Sequence, residues 1–462
     1  MDTAVKKVNE GLYRTEAKIY PRDVKGRYAR LRRLAMFVLL GIFYIGPFLR
    51  WDDRQAVLFD LPARKFHIFS VTLWPQDFLL LALLLIIAGV SLFFFTALAG
   101  RLWCGYACPQ TVWTEAFVWI ERVFEGDRMK RMKLDRAPWN FNKIWRKTGK
   151  QVAWIALALF TGFCFVGYFT PVGELYTQIV TGTIGGWATF WVLFYGFATY
   201  GNAGFMREQV CKYMCPYARF QSAMFDKDTL IVTYDQARGE PRGGRSRKNP
   251  AAAKGLGDCT DCTLCVQVCP TGIDIREGLQ YECIACAACV DACNVVMDKM
   301  GYERGLIRYT TEHALEGRTT KVLRPRMFVY AAVLGALLSV FMYSLINKPA
   351  VIVDVLKDRN ALYRDIGLRG IENTYTLHLI NKTNERQQLA LSVEGLPGIE
   401  ITTETTVTIQ PETSYKLPVA VTAPHESAVG GQNITFVVES INNNKINTRE
   451  ESRFRGPDGN TL

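Results

Sequence analysis

The chain has 462 residues, a hydrophobic content of 49% and a formal net charge of +12. That length allows several domains. A basic balance of this size could serve nucleic acid, but the charge falls in loops between apolar runs, so membrane topology accounts for it and no nucleic-acid partner is needed.

Residues 1–33 are a basic tail with ten Lys/Arg against four Asp/Glu. No small-residue cleavage site follows in the next apolar stretch, so that stretch reads as a retained helix rather than a signal peptide. Apolar runs cover 34–49, 78–100, 151–172, 187–206 and 327–346. Most approach the roughly 20 residues that cross a bilayer. The first is the shortest, and a buried core helix is its competing reading. The runs at 78–100 and 327–346 carry no charge at all. Between runs, segment 51–76 is neutral, 101–150 holds eleven Lys/Arg against five Asp/Glu, and 173–186 holds only Glu174. Positive loops thus alternate with neutral ones. The positive-inside rule then places the tail, the 101–150 loop and 207–326 in the cytoplasm, and the region after 346 outside.

Residues 34–206 read as a four-helix membrane core with an internal repeat. Its first helix pair leads into Cys104-Gly-Tyr-Ala-Cys108-Pro109 and its second into Cys211-Lys-Tyr-Met-Cys215-Pro216. Two such pairs imply a parallel repeat about an axis along the membrane normal. In a helix the two cysteines of each C-x3-C-P would share a face. The proline suits the first position of a new helix, which puts Cys108 and Cys215 at helix N-termini, where the dipole favours thiolate. Apolar residues at helical spacing follow each motif: Val112, Trp113, Ala116, Phe117, Ile120 and Phe124, then Phe220, Met224 and Phe225. They predict helices lying along the bilayer surface. Paired soft ligands without nearby imidazole suit Cu(I), so Cys104, Cys108, Cys211 and Cys215 are candidate copper-handling, catalytic residues. A dithiol/disulfide couple is the second reading, and packing of small hydrophobic side chains the third. Cys164, inside the third helix, reads as packing, with a metal relay role as its second reading.

Residues 207–326 carry the most specific pattern. Cys259, Cys262, Cys265 and Cys269 stand in C-x2-C-x2-C-x3-C spacing, and Cys283, Cys286, Cys289 and Cys293 repeat it. That is the bacterial two-cluster ferredoxin arrangement, in which the fourth cysteine of each run serves the other cluster. One [4Fe–4S] cluster is therefore assigned to Cys259, Cys262, Cys265 and Cys293, and the other to Cys283, Cys286, Cys289 and Cys269. Zinc prefers two C-x2-C pairs on a longer spacer, and disulfides need an oxidising compartment. The first run ends Cys269-Pro270, whereas the second ends Cys293-Asn294. A basic run at Arg242, Arg245, Arg247 and Lys248 reads as a solvated linker.

After the fifth apolar run, residues 347–462 read as all-β. Alternating segments at 375–383, 387–394, 399–409, 414–421 and 433–439 predict an immunoglobulin-like sandwich. All thirteen cysteines lie between Cys104 and Cys293, so this region has none. The four histidines, His67, His313, His378 and His425, fall outside the crossing segments, which leaves a transmembrane haem without ligands. No G-x-G-x-x-G follows a strand, so direct NAD(P)H oxidation is not indicated.

In the order of these parts the chain resembles the CcoG/FixG/RdxA family of cytochrome c oxidase accessory proteins. The resemblance implies a polytopic α-helical membrane protein with an inserted bacterial-type two-[4Fe–4S] ferredoxin domain and a C-terminal immunoglobulin-like β-sandwich. It implies the bacterial inner membrane, with the sandwich in the periplasm, and reduction of Cu(II) to Cu(I) for assembly of the cbb-type oxidase. Oxidase subunits or copper-handling proteins and a soluble cytoplasmic electron donor would be its partners. Whether a homodimer completes the cysteine site stays open. Polyferredoxins of the nitrate or nitrous-oxide reductase accessory type are similar in the same motifs. Two other readings remain: an electron conduit to quinone or a partner without a copper site, and a non-enzymatic assembly scaffold.

Overall fold

The computed structural model describes residues 18–52, 54–245, 255–358, 361–441 and 446–457. Arg247 and Lys248 of the expected linker, and most of the basic tail, lie outside these residues. The chain divides into two compact units, one ending at Phe341 and the other beginning at Met342.

In the first unit, α1 (Arg27–Ile45), α2 (Phe78–Ala99) and α6 (Phe141–Val166) are long and apolar enough to cross a membrane, as is the later helix Pro325–Ile346. Helix α1 starts well before the apolar run and α6 begins ten residues ahead of its own, because a helix propagates through polar residues that need not enter lipid. The fourth crossing is less regular. Helix α7 (Val172–Thr181) meets the stretch Gly186–Met206 at a bend of 101°. That stretch is α8 (Gly186–Thr199) continued by a π-helical turn over Tyr200–Met206. Glycine lets α6 and α8 approach closely: a Cβ on Gly162 would lie 2.2 Å from the Val192 carbonyl oxygen. The neutral 51–76 loop folds into short antiparallel strands, among them Val57–Asp60, Lys65–Ile68 and Val71–Leu73.

Between α2 and α6 the chain forms α3 (Leu102–Tyr106), α4 (Pro109–Glu125) and α5 (Arg128–Arg136). The expected surface helix after Cys108 is α4, but its apolar stripe is not laid on lipid. Val112 and Ala116 pack on Met36 of α1, and Phe117 packs on Trp154 and Ala158 of α6. Partners far away in sequence cover the face that periodicity alone assigns to the bilayer. The basic loop is likewise not simply solvated. Glu121, 1% exposed, pairs with Arg131 at 2.8 Å and Arg207 at 3.1 Å, and Lys150 pairs with Glu125 at 2.7 Å. This buried network pins α4, α5 and α6 together, and losing one partner would strand a charge without water.

After α9 (Pro216–Met224), strands β1 (Ile231–Tyr234) and β2 (Ile307–Thr310) pair antiparallel and close the cysteine-rich region, which also contains α10 (Ala288–Met300). Asp291 of α10, 4% exposed, accepts hydrogen bonds from the Ala29 amide at 2.7 Å and the Tyr28 amide at 3.4 Å, so it caps α1. Gly26 makes room: a Cβ there would fall 2.2 Å from the Asp291 carboxyl carbon.

The second unit is a two-sheet antiparallel sandwich. Strands β3 (Val351–Lys357), β4 (Ile371–Asn381) and β7 (Ser414–Ala423) form one sheet with the short strand Glu400–Ile401. Strands β6 (Thr406–Ile409), β5 (Gln387–Glu394), β8 (Gly431–Ser440) and β9 (Asn447–Arg455) form the other. Alternate residues of β4, including Tyr375, Leu377 and Leu379, are fully buried, and the Tyr375 and Phe436 rings meet edge-on at 5.2 Å. Burying each of these large side chains is worth about 1.5–3 kcal/mol. The expected strand at 399–409 is two strands in different sheets, because the chain crosses the sandwich there. Strands β3 and β9 extend the expected set.

Candidate redox site

The two cysteine runs fold into matching loops. Asp261 and Ala285 stand two residues after the first cysteine of each run, and Thr263 and Ala287 one residue after the second. All four are left-handed, with φ of 49°, 52°, 56° and 56°. Each costs about 1–2 kcal/mol outside glycine. The same strain at equivalent positions winds each loop tightly enough for three sulfurs to face one centre. The third cysteine of each run then enters a helix, Cys265 in the single turn Leu264–Gln267 and Cys289 in α10. One turn further along α10, Cys293 reaches the other centre.

Two cavities of near-equal size result. One, of about 360 Å³, is lined by Cys259, Cys262, Cys265 and Cys293; the second, of about 350 Å³, by Cys269, Cys283, Cys286 and Cys289, with Cys265 between them. These are the two exchanged sets read from the spacing. The walls are otherwise apolar, with Met297, Leu306 and Ile307 at the first and Ile273, Ile275 and Ile284 at the second. Burial pushes Cys265 up to about 11 and Cys283 and Cys293 up to about 12, and raises Cys269 and Cys289 as well. Without a cationic centre these thiols stay protonated at neutral pH, so iron must displace protons on binding. Paired, thiol-ringed, apolar cavities fit two [4Fe–4S] clusters.

The C-x3-C-P cysteines lie beside the second cavity. Cys104 sits in α3, and Cys108 is the extended N-cap of α4, with Pro109 in the first helical position. Cys211 lies in a π-helical turn, Val210–Met214, and Cys215 is the extended N-cap of α9, ahead of Pro216. Neither pair shares one continuous α-helix. A break before each proline separates the two cysteines into different elements, which corrects the expectation of a common helical face. The four thiols form one electrostatic group: Cys211 feels Cys108, Cys104 and Cys215, and Cys104 feels Cys108 and Cys215. No three His, Cys, Asp or Glu groups among the described residues close around a single ion, and this includes the ferredoxin cysteines. A cubane holds its thiolates farther apart than one ion does.

Burial overrides the helix dipole here. It raises Cys104 to about 11 and Cys211 to about 12, with neighbouring thiols adding to it. Cys108 is raised too, despite hydrogen bonding from the Gln110 and Thr111 backbone. The expected thiolate at this N-cap is thus a thiol, because desolvation of the anion outweighs half a charge of dipole.

Three residues join the two sites. Gly105 puts the α3 backbone directly on the second cluster loop: a Cβ would lie 2.8 Å from the Ile284 carbonyl oxygen and 3.0 Å from Cys286 Cα. Arg101, 4% exposed, donates to the Tyr281 and Ala218 carbonyls and, at 3.3 Å, to the Cys283 carbonyl, and its charge reaches Cys104, Cys211, Cys215 and Cys283. Gln221 of α9, fully buried, accepts from the Cys104 thiol at 3.2 Å and donates to Thr96 of α2 at 3.4 Å. The signal for Arg101 was a lone charge closing an uncharged run. Gly105 and Gln221 gave none. Cys164 is fully buried in α6. His67 bonds Thr72, His313 bonds Asp228 and His425 bonds the Gly367 carbonyl.

Family models described as "4Fe-4S dicluster domain" and "4Fe-4S binding domain" match residues 206–312 and 80–125, and one described as "IG-like fold at C-terminal of FixG" matches 341–457. The middle match holds only two cysteines, Cys104 and Cys108. The chain is 39% identical to "Nitrogen fixation protein FixG" of Rhizobium meliloti over 90% of its own length and 88% of that protein's. It is 41% identical to "Protein RdxA" of Cereibacter sphaeroides over 85% of each chain. A more distant likeness, 23% identical over 58% of this chain, is to "Ferredoxin-type protein NapH" of Haemophilus influenzae. With two iron–sulfur matches, several apolar helices long enough to cross a membrane and an IG-like C-terminal domain, and at this identity and coverage, the chain belongs to the FixG/RdxA family of membrane proteins.

Proposed function

We propose that the chain is a cupric reductase of the bacterial inner membrane, serving assembly of a cbb-type oxidase. The clusters, when bound, supply single electrons. Cys104, Cys108, Cys211 and Cys215 receive Cu(II) as substrate and release Cu(I), which soft sulfur favours. The observation that carries this reading is the Gly105 contact, which lays the C-x3-C-P backbone on the Ile284–Cys286 loop with no side chain between. Arg101 fixes the spacing by bonding carbonyls on both sides. The positive-inside rule puts this assembly in the cytoplasm and the sandwich in the periplasm, where it would dock oxidase subunits or a copper carrier. A soluble donor would fill the clusters. The test replaces Cys104 and Cys108 with serine in the reconstituted, cluster-loaded protein. Cu(II) reduction should be lost with iron content unchanged; an unchanged rate and copper stoichiometry would refute the assignment.

One observation favours a second reading, in which the four thiols hold a resident iron–sulfur group. The 4Fe–4S match at 80–125 has only Cys104 and Cys108 to offer. Iron at three clusters per chain rather than two, falling to two in the serine variant, would establish it.

A further inference from the structure

A cavity of about 900 Å³, open to solvent, lies between the two thiol sites of the first unit, with Cys211 in one wall and Cys286 in another. The lining is basic: five arginines against Asp23, Glu115 and Glu208. Most of that charge is spoken for. Arg32 pairs with Glu115 at 2.7 Å, Arg122 with Asp23 at 3.1 Å, and Arg207 with Glu121 at 3.1 Å. Arg22 and Arg33 make no ion pair among the described residues, and Arg33 Nε donates only to the Ala29 carbonyl at 3.3 Å. Gln110 and Thr111, in the first turn of α4, add the positive end of a 17-residue helix to the same space. A bare divalent cation entering here meets charge of its own sign. A metal ion wrapped in carboxylate ligands, with net negative charge, meets Arg22, Arg33 (whose charge also reaches Glu115) and a helix N-terminus.

We infer that this cavity is the entry site for copper, and that it takes Cu(II) as an anionic chelate, bound by Arg22 and Arg33 against the Cys211 wall. The inference rests on the cupric reductase reading and names its substrate form. The metal gains one electron, Cu(II) becoming Cu(I), and that electron comes from the iron–sulfur clusters and, behind them, the soluble donor. The chelator leaves with its charge unchanged.

The test uses the full-length, cluster-loaded protein in lipid nanodiscs, with an Arg22→Gln/Arg33→Gln double variant checked for full iron content. Reduction is followed with anionic Cu(II)–nitrilotriacetate and cationic Cu(II)–bis(ethylenediamine). Binding is followed separately by calorimetry with Zn(II)–EDTA, which is anionic, redox-inert and coordinatively closed. In the wild type, KM should be lower for the anionic copper chelate, and Zn(II)–EDTA should bind and compete. In the double variant, KM for the anionic chelate should rise about tenfold while that for the cationic chelate falls, and Zn(II)–EDTA binding should weaken. General damage to the fold would raise both KM values together. Equal KM values for both chelates, unmoved by the double variant, would overturn the inference and leave the cupric reductase reading intact. Zn(II)–EDTA binding that depends on the two arginines, without reduction of either chelate, would support the anion site and sink the reductase reading.

Discussion

Each ferredoxin cavity and the C-x3-C-P group are four-thiol sets, built in opposite ways. The first closes its sulfurs around apolar cavities, with left-handed residues repeated at equivalent positions to hold them there. The second places its sulfurs at breaks between helices, beside an open, basic cavity. The same strain kept at equivalent positions of both loops suits a permanent occupant. A thiol group that reaches the rim of an open cavity through Cys211 suits a metal that passes through.

The sharpest way to break this contrast is to exchange the cluster ligands. Cys293→Ser should abolish the cluster of the first run, not the second, and remove about half of the iron; Cys269→Ser should do the reverse. Mössbauer spectra of the two variants distinguish the losses, and the same residual cluster in both would refute the exchanged assignment. Next in size is the buried network beneath α4. Glu121→Ala strands Arg131 and Arg207 and should cost about 3–5 kcal/mol, read as a drop in thermal stability in detergent. A smaller change tests the join between the sites. Gly105→Val pushes α3 off the cluster loop and should slow copper reduction about 10–100-fold at unchanged iron content. The smallest effect is acid sensitivity. Burial raises Asp135, but hydrogen bonds from Lys147, Tyr20 and Lys18 outweigh it and hold the carboxyl well below its usual range. A depressed carboxylate contributes stability above its unfolded pKa and loses it as pH falls. The protection of the α5 amides, taken relative to their intrinsic exchange rate at each pH, should therefore fall below about pH 4, and not on raising the pH.

Much of this contrast was legible before any coordinates. The doubled spacing predicts exchanged ligand sets, and Cys289 and Cys293, one turn apart on α10, line different cavities. Uncharged runs of bilayer length leave little choice but helices. What stayed hidden depends on contacts far apart in the chain. The α4 stripe reads as lipid-facing until Met36 and Trp154 are seen to cover it. Cys108 reads as a thiolate until its burial is known. Gly105 is one glycine among 37, and only the loop at Ile284, 179 positions on by numbering, gives it meaning. The break of 399–409 into two sheets has no local signal, because both halves alternate equally well.

The most direct measurement follows both metals at once. Protein with reduced clusters is mixed anaerobically with one equivalent of Cu(II)–nitrilotriacetate, frozen at intervals and examined by EPR. The Cu(II) signal should disappear while the reduced-cluster signal falls by one spin for each Cu(II) lost, leaving one of the two clusters reduced, and both signals should persist in full when Cys104, Cys108, Cys211 and Cys215 are all serine. A Cu(II) signal that survives beside reduced clusters in the wild type, or that vanishes just as fast in the serine variant, would contradict the account.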